Sequence, residues 1–257
     1  MEVKVAAIAE HLPIKAGDVL LIGSDVVGLA LAAQERGEAL DLDRLIELFQ
    51  QKITERGTLL FPTFNFDFCE GGGFDIKKSV SQTGALSRAA IKRADFSRTR
   101  HPIHSFAVWG RHQTELCGMR NKESFGLDSP FHFLYEIGAK MLIIGIGFQG
   151  AFTFAHYVEE RENVPYRYFK DFTGDYTDEN GVTEQKTYSM FVRAVEQGIE
   201  SFLDPIGEVL EKKGVASLQK INGVEFRTVD LRGAYHEIVN DIRENSGKNL
   251  FRSGVRP

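Results

Sequence analysis

The sequence predicts an α/β protein built around a layered sheet. Strand and helix signals alternate along the whole chain, which is the pattern of a sheet covered by helices. The run 141–144 has pure strand character and leads into the glycine-rich turn 145–150. Neither an internal repeat nor a linker interrupts the alternation, so residues 1–257 are predicted to form a single domain.

The first half of the chain opens with a predicted strand, a helix and a second strand. Residues 18–24 and 57–64 are apolar runs, the first ending in small residues and the second stopped by proline. Between them, residues 42–51 carry apolar side chains at helical spacing. Residues 65–83 are polar and aromatic around three consecutive glycines, which predicts a flexible loop of the length that is often functional. Residues 84–93 predict a short helix.

The second half continues the alternation. Strands are predicted for residues 105–110, 141–144 and 224–229. Helices are predicted for residues 187–203, 205–213 and 231–243, and a helix that ends at a glycine cap for residues 134–138. Residues 163–186 are rich in aromatic and charged side chains, and we expect them to form an inserted excursion on the substrate side of the domain.

Composition excludes several classes of protein. The net charge is −5 and the basic residues between 88 and 100 form only a short cluster, so we expect no nucleic-acid partner. The two cysteines are too few for a disulfide scaffold or a zinc site. The N-terminal residues lack a signal peptide and no apolar run could span a membrane, which together favour the cytoplasm.

The strongest chemical signal is a histidine placed just beyond the strand 141–144. Open α/β sheets bind ligands at the carboxyl ends of their strands, where His156 is expected to lie. A neutral imidazole can accept a proton, and Glu159, three residues later on the same helical face, could orient it. Thr153 is a candidate donor to an oxyanion. The alternative is a structural histidine at a helix N-terminus.

Two further segments could contribute polar groups to a site. Thr99, His101 and Ser105 lie in a loop that is stiffened by proline before a strand, although a purely structural polar loop fits as well. Cysteine or aspartate at ligand spacing does not accompany the histidines, so we expect no metal. The turn 23–28 could offer backbone amides to phosphates, but it is neither a Walker loop nor a dinucleotide fingerprint. The Gly-x-Ser-x-Gly elbow of serine hydrolases is absent from the sequence.

Taken in order, these segments resemble the antibiotic N-acetyltransferase family founded on the aminoglycoside 3-N-acetyltransferases. The resemblance extends over residues 17–231. Its motifs are Gly-Asp-Val-Leu-Leu at 17–21, Gly-Thr-Leu-Leu-Phe-Pro-Thr-Phe at 57–64, Thr-Gly-Ala-Leu at 83–86, the His-Pro segment 98–106, Ser-Pro at 129–130, the strand and turn 142–147, and Thr-Phe-Ala-His-Tyr-Val-Glu at 153–159.

The resemblance implies a three-layer α/β/α sandwich with a central mixed sheet and an acetyl-CoA-dependent transfer to a primary amine of an amino sugar. It implies direct transfer, with His156 as the general base. The predicted catalytic residues are His156, Glu159 and Thr153. The predicted cofactor-binding residues are Gly23, Ser24, Asp25, Val26, Thr99, His101 and Ser105, and the predicted substrate-binding residues are Thr63, Asp67, Arg167 and Lys170.

Two departures from the family pattern affect the expected acceptor. Gly23-Ser24-Asp25 replaces the usual His-Ser-Ser, and Ser87-Arg88 replaces the usual Pro-Glu, which removes an acidic group near the substrate region. Because Arg167 and Lys170 could bind a diphosphate, a nucleotide-linked amino sugar is the first expectation and an aminoglycoside the second. A non-catalytic protein that binds coenzyme A or a sugar is the alternative of another class. The sequence leaves the oligomeric state undecided, and a homodimer is compatible with it.

Overall fold

A computed structural model of the chain describes residues 1–254. The strands are β1 Val19–Ser24, β2 Thr58–Pro62, β3 Phe74–Asp75, β4 Ser97–Arg98, β5 Phe106–Gly110, β6 Lys140–Ile144, β7 Arg167–Thr177, β8 Thr183–Arg193, β9 Ile199–Ser201, β10 Ala216–Ile221, β11 Val224–Asp230 and β12 Phe251–Ser253. The helices are α1 Val27–Glu35, α2 Leu42–Ile53, α3 Ala85–Lys92, α4 Gln113–Gly118, α5 Pro130–Glu136, α6 Phe148–Ala151, α7 Phe154–Arg161, α8 Asp204–Lys212 and α9 Leu231–Asn245. Short 3₁₀ helices cover Val5–His11, Asp67–Glu70 and Val195–Gln197. None of the helices within residues 1–254 combines the length and apolar character needed to cross a bilayer.

The central sheet has seven strands in the order β10-β11-β6-β1-β2-β5-β4. Strand β1 is parallel to both of its neighbours, β2 and β6, whereas β5 and β11 join the outer edges of that trio in antiparallel orientation. The predicted strands at 18–24, 57–64, 105–110, 141–144 and 224–229 all form, to within two residues at either end. The sheet is therefore mixed, as the family resemblance implies.

Helices cover both faces of this sheet because its central strands are apolar on both sides. In β1, Leu20 and Ile22 face one buried cluster and Leu21 faces the other. Successive strand side chains point to opposite faces, so an uninterrupted apolar run needs two covering layers. Helices α1, α2 and α3 supply one layer and α5 to α9 supply the other. The predicted three-layer α/β/α sandwich is confirmed.

The predicted excursion 163–186 is a long antiparallel hairpin of β7 and β8, to which the short strand β3 is added. The predicted helix at 187–203 is wrong, because residues 183–193 are paired along their whole length with β7 and continue into β9. Tyr188, Met190 and Val192 pack together on one side of the hairpin, which is the alternation of a strand. The helices predicted at 42–51, 84–93, 205–213 and 231–243 are α2, α3, α8 and α9.

The carboxyl ends of three neighbouring parallel strands, β2, β1 and β6, meet at one edge of the sheet. The turns that follow β1 and β6 pack closely together there. Gly145 has a φ of +67°, and a β-carbon at this position would collide with the carbonyl oxygen of Asp25. Only glycine allows this approach of two backbones. The edge that results is where the functional side chains of the protein collect.

Candidate active site

A cavity of about 540 Å³ lies at the carboxyl edge of β1, β2 and β6. Its wall combines the turn after β1, the end of β2, the start of α3 and the turn after β6. The lining residues are Gly23, Ser24, Asp25, Val26, Val27, Pro62, Phe64, Phe66, Gln82, Thr83, Gly84, Ala85, Arg88, Ile146, Gly150, Ala151 and Thr153. This is the position at which open α/β sheets bind ligands.

His156 lies on α7, one helical turn beyond Thr153, and belongs to a three-residue cluster. Its Nδ1 lies 2.6 Å from Oε2 of Glu159, a contact that requires a hydrogen between the two atoms. Since Glu159 is ionised and can only accept, the imidazole donates to it through Nδ1 and keeps the lone pair of Nε2. Nη2 of Arg167 lies 2.8 Å from the same Nδ1, a donor-to-donor approach within the cluster. The same Oε2 lies 2.8 Å from Nε of Arg167, the first residue of β7. Glu159 is fully buried, whereas the His156 side chain is 20% exposed.

The three charges of this cluster act on one another. Burial lowers the pKa of His156 below its ordinary value of 6.5, and the Arg167 cation lowers it further, while Glu159 opposes both effects. Burial alone would raise the pKa of Glu159, but Arg167 and His156 pull it below its ordinary 4.5. At neutral pH the pair is thus a neutral imidazole beside an ionised carboxylate. A half-buried neutral histidine held by a carboxylate is suited to accept a proton at Nε2.

Thr153 precedes α7 as its N-cap residue, but its side chain caps no helix N–H. Among residues 1–254, the Thr153 hydroxyl has no hydrogen-bond partner, and the residue lines the cavity. A hydroxyl in this position is available to a ligand in the cavity.

The turn after β1 supplies four of the predicted cofactor-binding residues to the cavity wall: Gly23, Ser24, Asp25 and Val26. The Asp25 carboxylate accepts a hydrogen bond of 2.9 Å from the backbone N–H of Val27 at the start of α1. Its charge is therefore directed at a helix N-terminus, which stabilises an anion. This contact offsets part of the repulsion that Asp25 would exert on a bound phosphate.

The other predicted cofactor-binding residues lie behind the cavity wall. Thr99, His101 and Ser105 are all buried and none of them lines the cavity. His101 accepts from the backbone N–H of His104 and donates to the carbonyl of Lys122, and burial lowers its pKa to about 3. Their polar groups make hydrogen bonds to neighbouring side chains and to the backbone around the start of β5. The structural alternative for this loop matches its geometry better than cofactor binding.

The predicted substrate-binding residues are dispersed. Thr63 is fully buried, with its hydroxyl 3.0 Å from that of Ser105. Asp67 is exposed at the cavity rim, where it accepts a 2.8 Å hydrogen bond from Gln82. Lys170 is exposed on β7, with its ammonium 5.2 Å from the ring centre of Phe172. Arg167 is ion-paired with Glu159, so it is not a free cation for a diphosphate.

Several cavity residues are absent from the sequence-based set of site residues. The segment Gln82 to Ala85 and Arg88 forms the wall opposite the β6 turn. Gly84 carries the signal for this segment: its φ is +93°, and a β-carbon there would lie 3.0 Å from the carbonyl oxygen of Ser24. The Thr-Gly-Ala-Leu motif was recognised as part of the resemblance, but residue spacing alone does not bring it against the turn after β1.

Other reactive groups lie outside this cavity. Within residues 1–254, histidine, cysteine, aspartate and glutamate do not cluster in any group that could hold a metal ion. Cys69 and Cys117 are free thiols, and burial raises their pKa values to about 11 and about 12. Neither of them lines the cavity. Among the described residues, Asp25 is the one carboxylate that lines it, and it accepts from the N-terminus of α1, so His156, one helical turn beyond Thr153, is the candidate base.

An α/β/α sandwich with a carboxylate-held histidine near a cavity at the carboxyl edge of the sheet is an arrangement that permits acid–base catalysis. The sequence model of a family described as aminoglycoside 3-N-acetyltransferase matches residues 34–242, well over half of the chain. The chain belongs to that family and is an acyltransferase.

Solved structures of other proteins share this fold. Aminoglycoside acetyltransferase AAC(3)-Xa is 18% identical, with a TM-score of 0.78 over 95% of this chain and 93% of that one. AAC-IIIb, solved as a binary complex with CoASH, is 17% identical, with a TM-score of 0.78 over 95% and 98% of the two chains. Sisomicin-bound AAC-VIa is 16% identical, with a TM-score of 0.77 over 95% and 99%.

Proposed function

We propose that the protein transfers an acetyl group from acetyl-CoA to a primary amine of an amino sugar of the aminoglycoside type. Family membership supports the reaction, and the CoASH complex of AAC-IIIb supports the donor. The sisomicin complex of AAC-VIa supports an aminoglycoside acceptor over the nucleotide-linked amino sugar that the sequence favoured. The ion pair of Arg167 with Glu159 weakens the case for a diphosphate in the acceptor further.

The observation that carries this proposal is the 2.6 Å contact between Nδ1 of His156 and Glu159. Because the ionised carboxylate can only accept, the contact favours the tautomer in which Nε2 is the proton acceptor, against the 2.8 Å approach of Nη2 of Arg167 to the same Nδ1. An amine can attack a carbonyl carbon only after losing its extra proton, and a positioned base typically contributes about 10²- to 10⁴-fold to such a step. Because burial and Arg167 lower the pKa of His156, the imidazole is already neutral at pH 7.

The walls of the cavity fit the extended arm of an acyl-CoA. The turn from Ser24 to Val27 faces the segment from Gln82 to Ala85, and Gly84 lets the two approach each other. When bound, acetyl-CoA supplies an electrophilic thioester. The Thr153 hydroxyl, which lacks a protein partner, can donate to the oxygen of that carbonyl as negative charge develops on it.

Direct transfer needs no nucleophile from the protein. His156 takes the proton from the acceptor amine, the amine nitrogen bonds to the carbonyl carbon, and the carbon–sulphur bond breaks. The coenzyme would then leave as a thiolate that takes up the second proton, the one that the nitrogen loses as the amide forms. The buried thiols of Cys69 and Cys117, which are protonated at neutral pH and lie outside the cavity, support this route over a covalent intermediate.

The proposal is tested by measuring thiol release from acetyl-CoA with two panels of amines, aminoglycosides and nucleotide-linked amino sugars. We expect release with at least one aminoglycoside and a mass increase of one acetyl group on that acceptor. Coenzyme A binding without turnover on either panel would favour the non-catalytic alternative. Turnover confined to the nucleotide-linked amines would overturn the assignment of the acceptor.

A further inference from the structure

A second hollow adjoins the active-site cavity along α3, and the two share lining residues. This groove has a volume of about 870 Å³ and lies between the start of α2 and the length of α3. Ala85 and Arg88 line both the cavity and the groove. A ligand that extends from Thr153 through the cavity therefore passes Arg88 before it enters the groove.

The groove carries two cations without protein partners. Arg88 and Lys92 are exposed and lie four residues apart on α3, hence on one helical face. In the described part of the chain, neither side chain makes a hydrogen bond or an ion pair. Arg93 in the same groove differs, because its guanidinium pairs with Asp95 at 3.0 Å and with Asp43 at 3.3 Å.

The apolar surface of the groove fits a ring beside these cations. Ala85 and Ala89 line the groove with small apolar side chains on the same helix as the two charged residues. A phosphate ester on a heterocyclic nucleoside would match this arrangement, since it combines a flat apolar ring with a dianion.

Resting on the proposed function, we propose that Arg88, assisted by Lys92, binds a phosphate at the nucleotide end of coenzyme A. The guanidinium donates to phosphate oxygens, while the acyl arm of the same molecule occupies the cavity that leads to Thr153. Arg88 is then a positioning residue that sets donor affinity and takes no part in the chemistry at His156.

The test is calorimetric titration of the protein with coenzyme A, dephospho-coenzyme A and pantetheine. We expect R88Q to weaken coenzyme A binding about tenfold and R88E to weaken it further, with pantetheine binding unchanged, because charge-assisted contacts to an anion account for the difference. K92Q should have a smaller effect. The losses should shrink at high salt, since both cations are exposed.

The matched control is R111Q. Arg111 is an exposed arginine that follows β5 at the end of the sheet opposite the cavity, because Gly110 pairs with Thr58 whereas Phe106 pairs with the cavity residue Pro62. We expect R111Q to bind all three ligands as the wild type does. A loss with R88Q that is confined to coenzyme A assigns the contact to the 3′-phosphate. An equal loss with dephospho-coenzyme A assigns it to the diphosphate.

Failure of this inference is distinguishable from failure of the proposed function. Wild-type protein that binds none of the three ligands would overturn the proposed function and this inference with it. Wild-type protein that binds coenzyme A with the same affinity as R88E would overturn this inference alone. A loss in R88Q that is equal for pantetheine would also overturn it, because pantetheine has no phosphate.

Discussion

Arg167 and Glu159 form a buried ion pair that joins the base of the β7–β8 hairpin to the helix that carries the candidate base. The distance from Nε of Arg167 to Oε2 of Glu159 is 2.8 Å, and the side chains are 6% and 0% exposed. Since the same Oε2 receives the hydrogen bond from His156, one carboxylate oxygen orients the imidazole and neutralises the guanidinium.

Replacing His156 by asparagine should lower turnover by about 10²- to 10⁴-fold, because the proton acceptor is lost while the cavity is retained. Coenzyme A affinity, measured by calorimetry, should stay unchanged, since His156 does not line the cavity. Near-normal turnover in purified H156N would make His156 a structural residue.

Replacing Arg167 by glutamine should raise the pKa of His156. The Arg167 cation disfavours the imidazolium, so its removal lets the ring protonate at a higher pH. The acidic limb of the turnover–pH profile is expected to move to higher pH, leaving less active enzyme at pH 6. R193Q is the control, because Arg193 acts on His156 in the same direction but more weakly. If the acidic limb of R167Q coincides with that of the wild type, Arg167 does not control the pKa of His156.

Glu159→Gln should shift the acidic limb the opposite way, to lower pH. The carboxylate raises the pKa of His156, and the amide that replaces it cannot. Loss of the carboxylate also leaves the Arg167 guanidinium buried without a counter-charge, which typically destabilises a protein by about 3–5 kcal/mol. Urea unfolding reports the second effect and the turnover–pH profile the first. If the acidic limbs of the turnover–pH profiles of E159Q and R167Q move in the same direction, the opposite effects assigned to these two residues are wrong.

Glu160 should make the protein less stable as the pH rises. Burial raises the pKa of Glu160 from 4.5 to about 7, although Arg161 opposes the shift. Between these two values the folded state binds more protons than the unfolded one, so the free energy of unfolding falls as pH increases, by roughly 3 kcal/mol in all. E160Q should lose this dependence in urea unfolding between pH 4.5 and pH 8. If the free energy of unfolding depends on pH in the same way in E160Q and in the wild type, Glu160 is not the source of the dependence.

Gly84→Ala should weaken coenzyme A binding and destabilise the fold by about 1–3 kcal/mol. A side chain at φ +93° is strained, and its β-carbon would push against the carbonyl oxygen of Ser24 across the cavity wall. Gly37→Ala is the control: φ is +72° there, but nothing lies within 4 Å of the added carbon. We expect Gly37→Ala to cost stability without changing coenzyme A affinity. If the two variants bind coenzyme A with equal affinity, Gly84 is not part of the coenzyme A site.

Local sequence patterns predicted most of the central sheet because its strands are apolar on both faces. The apolar run at 141–144 predicts a strand, and the sequence that follows it predicts the helix that carries His156 and Glu159. Local patterns did not predict the structure of the segment 187–203, since its apolar residues fit a helical spacing as well, and pairing with a distant strand decided the outcome. The site shows the same limit: Arg167 lies near Glu159 only because β7 returns towards α7, a long-range contact that spacing does not encode.

The hairpin of β7 and β8 is a segment that could be exchanged for the corresponding segment of a relative. In this protein its two ends differ in what such an exchange would change. In the tip, residues 178–182, Glu179 pairs with Arg100 at 2.6 Å, whereas the first residue of β7 is Arg167, which pairs with the carboxylate that contacts His156. A graft that begins after residue 167 leaves the pair with Glu159 in place, and a graft that includes residue 167 is expected to change the pKa of His156.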